Sequence, residues 1–202
     1  MSVTAPALHF PPELLLRAQG GAPDIRLGMK AAFFDVDGVL TDGRLFIGEQ
    51  GELFKAFHAL DGHGLKLLLM AGIVPVIITG RDSAALRRRV ADLGLTGHAH
   101  FGVAEKLACA EQVLAGLNAG WHEAAAIGDD WPDLPLLTRA GLACAPPNAH
   151  AEVRAVAHHV TSAAGGAGAA REFCDLLLMA SGHYAELLRA DGLVAGVTLD
   201  AR

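Results

Sequence analysis

Aromatic residues make up only 5% of the 202 positions, and cysteine occurs three times. With so few rings, the core must be built from Leu, Ala, Val and Ile. Cys109, Cys144 and Cys174 are odd in number, far apart, and form no Cys-x-x-Cys pair. That excludes a disulfide framework or a zinc knuckle and reads as buried thiols in a reducing compartment. Positive charge is also scarce. The net charge is −6, and no basic run exceeds Arg87-Arg88-Arg89, which reads as one solvated helix face. A nucleic-acid binder, whose affinity rests on neutralising phosphates, is therefore not expected. The longest apolar run, Leu67 to Ile78, contains Pro75 and is shorter than the ~20 residues that span a bilayer. The opening residues lack a charged start followed by an apolar core, so no secretory signal and no membrane partner are expected. A cytoplasmic protein is the expectation.

What is present is a strand–helix alternation in a composition that is 52% hydrophobic. Residues 1–28 form a Pro/Gly-bearing lead, with a short helix at Glu13 to Ala18 after Pro11-Pro12. Ala31 to Phe34, Val74 to Ile78 and Ala124 to Ile127 are short apolar runs of the buried parallel type. Leu45 to Phe57 reads as two extended pieces about a Gly-bearing turn. Helical periodicity marks Gly64 to Ala71, Ser83 to Leu93, Ala104 to Leu117 and Arg171 to Ala180. Leu142 to Cys144 and His159-Val160 are further short strands. Gly165-Gly166-Ala167-Gly168 marks a loop, and 183–202 reads as a weakly specified tail. The expectation is an α/β fold: a doubly wound, mainly parallel sheet with helices on both faces. The hairpin at about 44–57 is a small insertion in one domain spanning 29–182.

Such sheets bind ligands outside the carboxyl ends of their strands. Three strand ends carry unusual polar groups. Asp35-Val36-Asp37-Gly38 follows the first. Residues i and i+2 of an extended chain face one way, so two carboxylates can converge, at a cost that a cation or shared proton relieves. Thr79-Gly80-Arg81 follows the second and offers a hydroxyl and a bare amide to a phosphate oxygen. Gly128-Asp129-Asp130, with Asp133 beyond, follows the third. Lys106 opens the helix between the second and third. Taken singly, each has an ordinary explanation: an Asp caps a helix, Thr-Gly makes a turn, a lysine faces water. Those explanations do not account for acid, hydroxyl, lysine and acid pair all falling where one cleft is expected. Phosphoryl transfer needs a nucleophile, a metal on the phosphate oxygens and donors arranged for in-line displacement. The oxygens of Asp35 and Asp129 suit Mg²⁺, and no His/Cys set of the zinc kind is present. Of the ten histidines, His58 and His63 are the candidates for substrate contact.

The run DVDGVLTDG at Asp35–Gly43 resembles the haloacid dehalogenase superfamily. The resemblance continues through IITGR at 77–81, Lys106 and GDDWPD at 128–133, in that family's order and over most of the chain. Within it, AFHALDGHGLKLL at 56–68 and GGAGAAREFCDLLL at 165–178 are similar to the 3-deoxy-D-manno-octulosonate 8-phosphate phosphatase family. The resemblance implies that Asp35 is phosphorylated and that Asp37 acts as acid and base, its main-chain carbonyl binding Mg²⁺. It implies Asp129 as the remaining protein ligand, Asp133 orienting a bound water beside Asp130, and Thr79, Gly80 and Lys106 holding the phosphate. It further implies that 44–57 is a short β-hairpin flap with no large cap domain, a phosphorylated sugar acid as substrate, a role in lipopolysaccharide precursor synthesis, and a homotetramer whose neighbours close the cleft. One departure is visible. An arginine common in the family just before Asp61-Gly62 is Leu60 here, so the sugar acid would be read by Arg81, Lys66, Lys55 or Arg171. A phosphatase of nine-carbon, sialic-acid-type sugar phosphates is the nearest alternative. A phospho-acceptor receiver is a more distant one, since receivers carry their acid pair early and their phospho-acceptor late.

Overall fold

The computed structural model describes residues 10–20 and 28–190. Six strands form one all-parallel sheet: β1 (Ala31–Phe34), β4 (Val74–Ile78), β5 (Ala99–His100), β6 (Ala124–Ile127), β7 (Leu142–Ala145) and β8 (His159–Val160). Their spatial order is β5-β4-β1-β6-β7-β8. The chain runs outward from β1 through β4 to β5, then returns to β6 on the other side of β1. The direction of winding thus reverses beside β1, where an open sheet of this kind leaves a crevice at its carboxyl edge.

Alternation along the strands divides the core in two. Ala32 and Phe34 pack on one face with α1 (Pro12–Ala18), α2 (Ala59–Met70), α3 (Ala84–Asp92) and α7 (Ala169–Ala180). Ala31 and Phe33 pack on the other with α4 (Lys106–Gly116), α5 (Leu134–Leu137) and α6 (Ala151–Val156). All four residues of β1, β6 and β7 are buried, which is why these strands read as continuous apolar runs and not as alternating ones. The rings are few but central: Phe34 meets Phe173 of α7 edge-on, with centroids 5.3 Å apart.

Several expected boundaries shift. Helix α2 begins at Ala59, not Gly64, and so takes in Asp61, Gly62 and Gly64. Its glycines argue against helix by propensity, but they sit where neighbouring side chains approach closely. A Cβ on Gly62 would lie 2.3 Å from an Arg89 nitrogen, and one on Gly64 would lie 3.1 Å from Cys174 Sγ. Strand β5 and helix α6 carry too few apolar residues to stand out in the sequence; Val153 is the one buried residue of α6. The expected weak tail begins with a helix, α8 (Tyr184–Ala190), while 191–202 lies outside the described residues. Within the lead, α1 buries Leu14 and Ala18 in the same core as α7. The insertion between β1 and α2 is an antiparallel hairpin, β2 (Phe46–Gly48) and β3 (Gly51–Phe54), stiffened by Phe46 stacked on Phe54 at 4.3 Å.

Candidate active site

The acids after β1 and β6 meet the lysine of α4, and the strand register sets Thr79 at the same edge of the sheet. β1 delivers Asp35, β4 delivers Thr79, β6 leads through Gly128 to Asp129, and the first residue of α4 is Lys106. Ligand oxygens of Asp35, Asp129 and Asp133 all lie within 4.8 Å of one another. Lys106 Nζ is 2.5 Å from Asp35 Oδ1 and 2.6 Å from Asp133 Oδ1, with the lysine itself buried. The other oxygen of Asp133 accepts from the backbone amides of Asp129 at 3.0 Å and Asp130 at 3.3 Å. Both Asp133 oxygens are therefore committed to holding the loop and the lysine. Among the described residues no hydrogen bond is donated to the Asp129 carboxylate, which leaves it open to a ligand. Asp130 caps the short turn of 3-10 helix Trp131–Asp133 through Trp131 N, at 2.8 Å.

Electrostatics mark the same place. Burial, and then the neighbouring Asp133 charge, push the Asp35 carboxyl up to about 7, against the opposing pull of Lys106. Burial, followed by the charges of Asp35, Asp133 and Asp130, pushes Asp129 up to about 8. Burial would lower the Lys106 ammonium, but the charges of Asp35 and Asp133 outweigh it and hold its pKa above the usual lysine value. One ammonium cannot balance three carboxylates, so the cluster requires bound protons or a hard divalent cation. An all-oxygen donor set with an open carboxylate fits Mg²⁺ on this ground.

The loop that carries the acids is built around glycines at close contacts. Gly38 has φ +100°, and a Cβ there would sit 2.0 Å from Asp129 Oδ2. Only glycine lets the two acidic loops approach. Thr41 Oγ1 accepts from Gly38 N at 3.4 Å and Gly43 N at 3.2 Å, closing the turn. The Gly165–Gly166 turn lies against this loop in the same chain: Gly166 N donates to Val39 O at 2.9 Å, and a Cβ on Gly165 would meet Gly38 O at 1.8 Å. Asn148 joins the two, donating to Gly38 O at 3.0 Å and accepting from Gly165 N at 2.7 Å. Asn148 and Thr41 were not singled out from sequence. Neither belongs to a strand-end acid or hydroxyl pattern, and their contacts are long-range or within one turn.

The other expected residues are placed as follows. Thr79 is buried and its hydroxyl accepts from Arg81 N at 3.2 Å, while the Gly80 amide stands at an exposed position. Asp37 does not join the Asp35–Asp129–Asp133 trio as the i, i+2 argument expected. The chain turns at once after β1, and the Asp37 side chain meets the flap: Lys55 Nζ bonds its Oδ1, and Arg81 Nε lies 3.8 Å from its Oδ2. Lys66 and His63 lie on the exposed face of α2, with the His63 charge felt by Asp175. His58 caps the same helix beside a cleft lined by Phe57, Asp61, Leu86 and Arg89, apart from the acid cluster. Arg171 is turned to its own helix: Nε bonds Asp175 Oδ1 at 2.8 Å, and its backbone N donates to Asp61 at 2.8 Å. So Lys66, His63, His58 and Arg171 are not brought to the acid cluster within the chain. Of the four cations considered for the sugar acid, Lys55 is buried in ion pairs and Arg81 alone reaches the cleft with an accessible side chain, 43% exposed.

Comparison with known proteins decides the lineage. A family model described as haloacid dehalogenase-like hydrolase matches residues 102–173. The 3-deoxy-D-manno-octulosonate 8-phosphate phosphatase KdsC of Yersinia pestis is 43% identical over 146 residues, 72% of this chain and 78% of that protein. The chain belongs to the KdsC family of haloacid dehalogenase-like hydrolases. Among solved KdsC-type structures, that of the Moraxella catarrhalis phosphatase in complex with magnesium ion, phosphate ion and KDO aligns with a TM-score of 0.82. It is 34% identical and covers 91% of this chain and all (100%) of that one. The cobalt-bound phosphatase of Haemophilus influenzae aligns at 0.77 with 38% identity, over 82% of this chain and 96% of that one.

Proposed function

We propose that this KdsC-family chain hydrolyses 3-deoxy-D-manno-octulosonate 8-phosphate to the free sugar acid and phosphate, through an aspartyl phosphate on Asp35, in lipopolysaccharide precursor synthesis. The observation that carries the reaction type is the meeting of buried Asp35 and Lys106 beside the open Asp129 carboxylate at the sheet's switch point. A carboxylate oxygen of Asp35 attacks phosphorus. Lys106, the Thr79 hydroxyl and the Gly80 amide hold the phosphoryl oxygens, donors of the kind that stabilise charge spread over them. Asp37 gives a proton to the departing sugar oxygen and later takes one from the attacking water. Mg²⁺ is the cofactor, held by Asp35, Asp129 and the Asp37 carbonyl with Asp133 bracing the loop, and it neutralises phosphate charge. The relatives, named as phosphatases, do not favour a signalling receiver or a nine-carbon sugar phosphatase.

Residues 29–182 form the phosphatase domain in this reading, with the lead 1–28 and tail 183–202 attached. The hairpin exposes Leu45, Ile47, Leu53 and Phe54, and nearby Leu60 is also exposed. Apolar surface on so small a flap supports assembly, a homotetramer in which neighbours roof the cleft. The sheet is Rossmann-like in its double winding. No helix among the described residues is long and apolar enough to cross a membrane. A charged phosphate ester does not cross membranes unaided, so the enzyme is placed with its substrate in the cytoplasm.

The deciding experiment is release of phosphate from a panel of phosphorylated sugars and sugar acids. The octulosonate ester is expected to give the highest kcat/KM; preference for a neutral sugar phosphate would overturn the substrate assignment. Within that panel Arg81 carries a sharper expectation. With leucine at position 60, Arg81→Ala should raise KM for the sugar acid ester by about 10–100-fold, the worth of a charge-assisted bond. KM for a small neutral aryl phosphate should change by less than about threefold. Equal effects on both would assign Arg81 to the phosphate or to the fold.

A further inference from the structure

Lys55 follows strand β3 of the flap, and its side chain is only 1% exposed. Its ammonium bonds Asp37 Oδ1 and stands 3.2 Å from Glu52 Oε2, and Arg81 Nη2 lies 3.5 Å from that same Glu52 oxygen. Burying an ammonium costs several kcal/mol unless carboxylates compensate, and here Asp37 and Glu52 do so. The two oxygens of Asp37 are left in different states. Oδ1 is fixed by Lys55. Oδ2 is buried and has no hydrogen-bond partner among the described residues, with Arg81 Nε at 3.8 Å. A buried polar atom without a partner is costly, and such atoms persist where a ligand completes them.

We propose that Lys55 is a positioning residue: it holds Asp37 by Oδ1 so that Oδ2 is the oxygen that exchanges protons with the substrate, and it makes that exchange depend on the flap. This rests on the reading of Asp37 as acid and base. In the first half-reaction Asp35 forms its bond to phosphorus, the P–O bond to the sugar breaks, and the sugar oxygen takes the proton from Asp37 Oδ2. In the second, water attacks phosphorus, its proton goes to Asp37 Oδ2, and the Asp35–phosphorus bond breaks. The hairpin then does two things. It stands at the edge of the cleft, and through Glu52 and Lys55 it aims the acid. Displacing the flap disarms proton transfer while leaving Asp35 and Lys106 in place.

The test exploits leaving groups. An alkoxide needs the proton, whereas p-nitrophenolate leaves almost as readily without it. Lys55→Met should lower kcat for an alkyl phosphate that the wild type turns over by about 10–100-fold, and kcat for p-nitrophenyl phosphate by less than about threefold. Lys55→Arg should recover most of the alkyl activity. Glu52→Gln, which loosens Lys55 without removing it, should move the same ratio in the same direction and serves if Lys55→Met melts early. Equal losses on both esters, or unchanged alkyl turnover in a folded Lys55→Met protein, would overturn the proposal. The outcomes separate from those of the reaction itself. Hydrolysis of other alkyl phosphates but not the octulosonate ester would sink the substrate reading alone. Equal effects of Asp37→Asn on both esters, or a wild type that hydrolyses no alkyl phosphate, would sink the acid–base reading and this one with it.

Discussion

Asp35→Asn is expected to lower kcat by about four orders of magnitude or more, the scale seen when a covalent nucleophile is removed. The amide keeps the size of the side chain and can still accept from Lys106, so binding and fold should survive. What it cannot do is form the mixed anhydride with phosphorus. The loss should be the same for an alkyl phosphate and for p-nitrophenyl phosphate, because both need the attack. Asp37→Asn should differ in kind, sparing the aryl ester, which needs little protonation. The metal-free Asp35→Asn protein should also melt no lower than wild type. Asp35 is buried beside Asp133, and its charged form is disfavoured there, so a neutral amide relieves repulsion. Steady-state kinetics on both esters, with melting curves in chelator, read all of this. Near-normal turnover by Asp35→Asn would remove the nucleophile from the scheme.

How far the sequence reveals this site depends on whether a residue's partner is local or distant. Asp35, Thr79 and Asp129 are legible because each follows a recognisable apolar run, and a strand end has one address in a parallel sheet, while Lys106 is legible as the start of a helix between two of those ends. The doubly wound sheet is legible for the same reason. The direction of Asp37 is not. Strand alternation places it with Asp35 only if the chain stays extended, and Gly38 at φ +100° shows that it turns instead. Its true partner, Lys55, comes from a flap whose sequence reads as a surface hairpin, and burial of that lysine follows only from the fold. Asn148 is hidden similarly: an exposed-looking Pro-Asn turn becomes a bridge between Gly38 and Gly165 because the loop after β7 reaches the loop after β1. The start of α2 is hidden by propensity, since Gly62 and Gly64 oppose helix locally while Arg89 and Cys174 pack close to them in space. Close contacts between elements carry no local signature except glycine, and a glycine alone does not say what approaches it.

Removal of Mg²⁺ should abolish turnover and, independently, change how stability depends on pH. In the metal-free chain the Asp35 and Asp129 carboxyls sit at about 7 and about 8, raised from their ordinary value of 3.8. Between pH ~4 and pH ~8 the folded state therefore binds more protons than the unfolded state, and stability falls as pH rises through that window. Below it both states are protonated and the sites contribute no pH dependence; above it the whole cost is present. A divalent cation competes with those protons for the same oxygens, and it stabilises the folded state by RT ln(1 + c/Kd), where c is the free Mg²⁺ concentration and Kd rises as protons occupy the site. The rise in Tm on adding saturating Mg²⁺ should thus be larger at pH 8 than at pH 6, by several degrees at about 2–4 °C per kcal/mol for a chain of this size. Asp129→Asn should flatten that difference, because it removes both the titrating group and the open ligand. Lys106→Met should do the opposite to the metal-free protein, deepening the loss of stability toward pH 8, since the one cation opposing three carboxylates is gone. Thermal melts in chelator and in Mg²⁺ at the two pH values measure each of these without reference to activity. A Mg²⁺-induced shift of equal size at both pH values would mean that the cation binds somewhere other than among Asp35, Asp129 and Asp133.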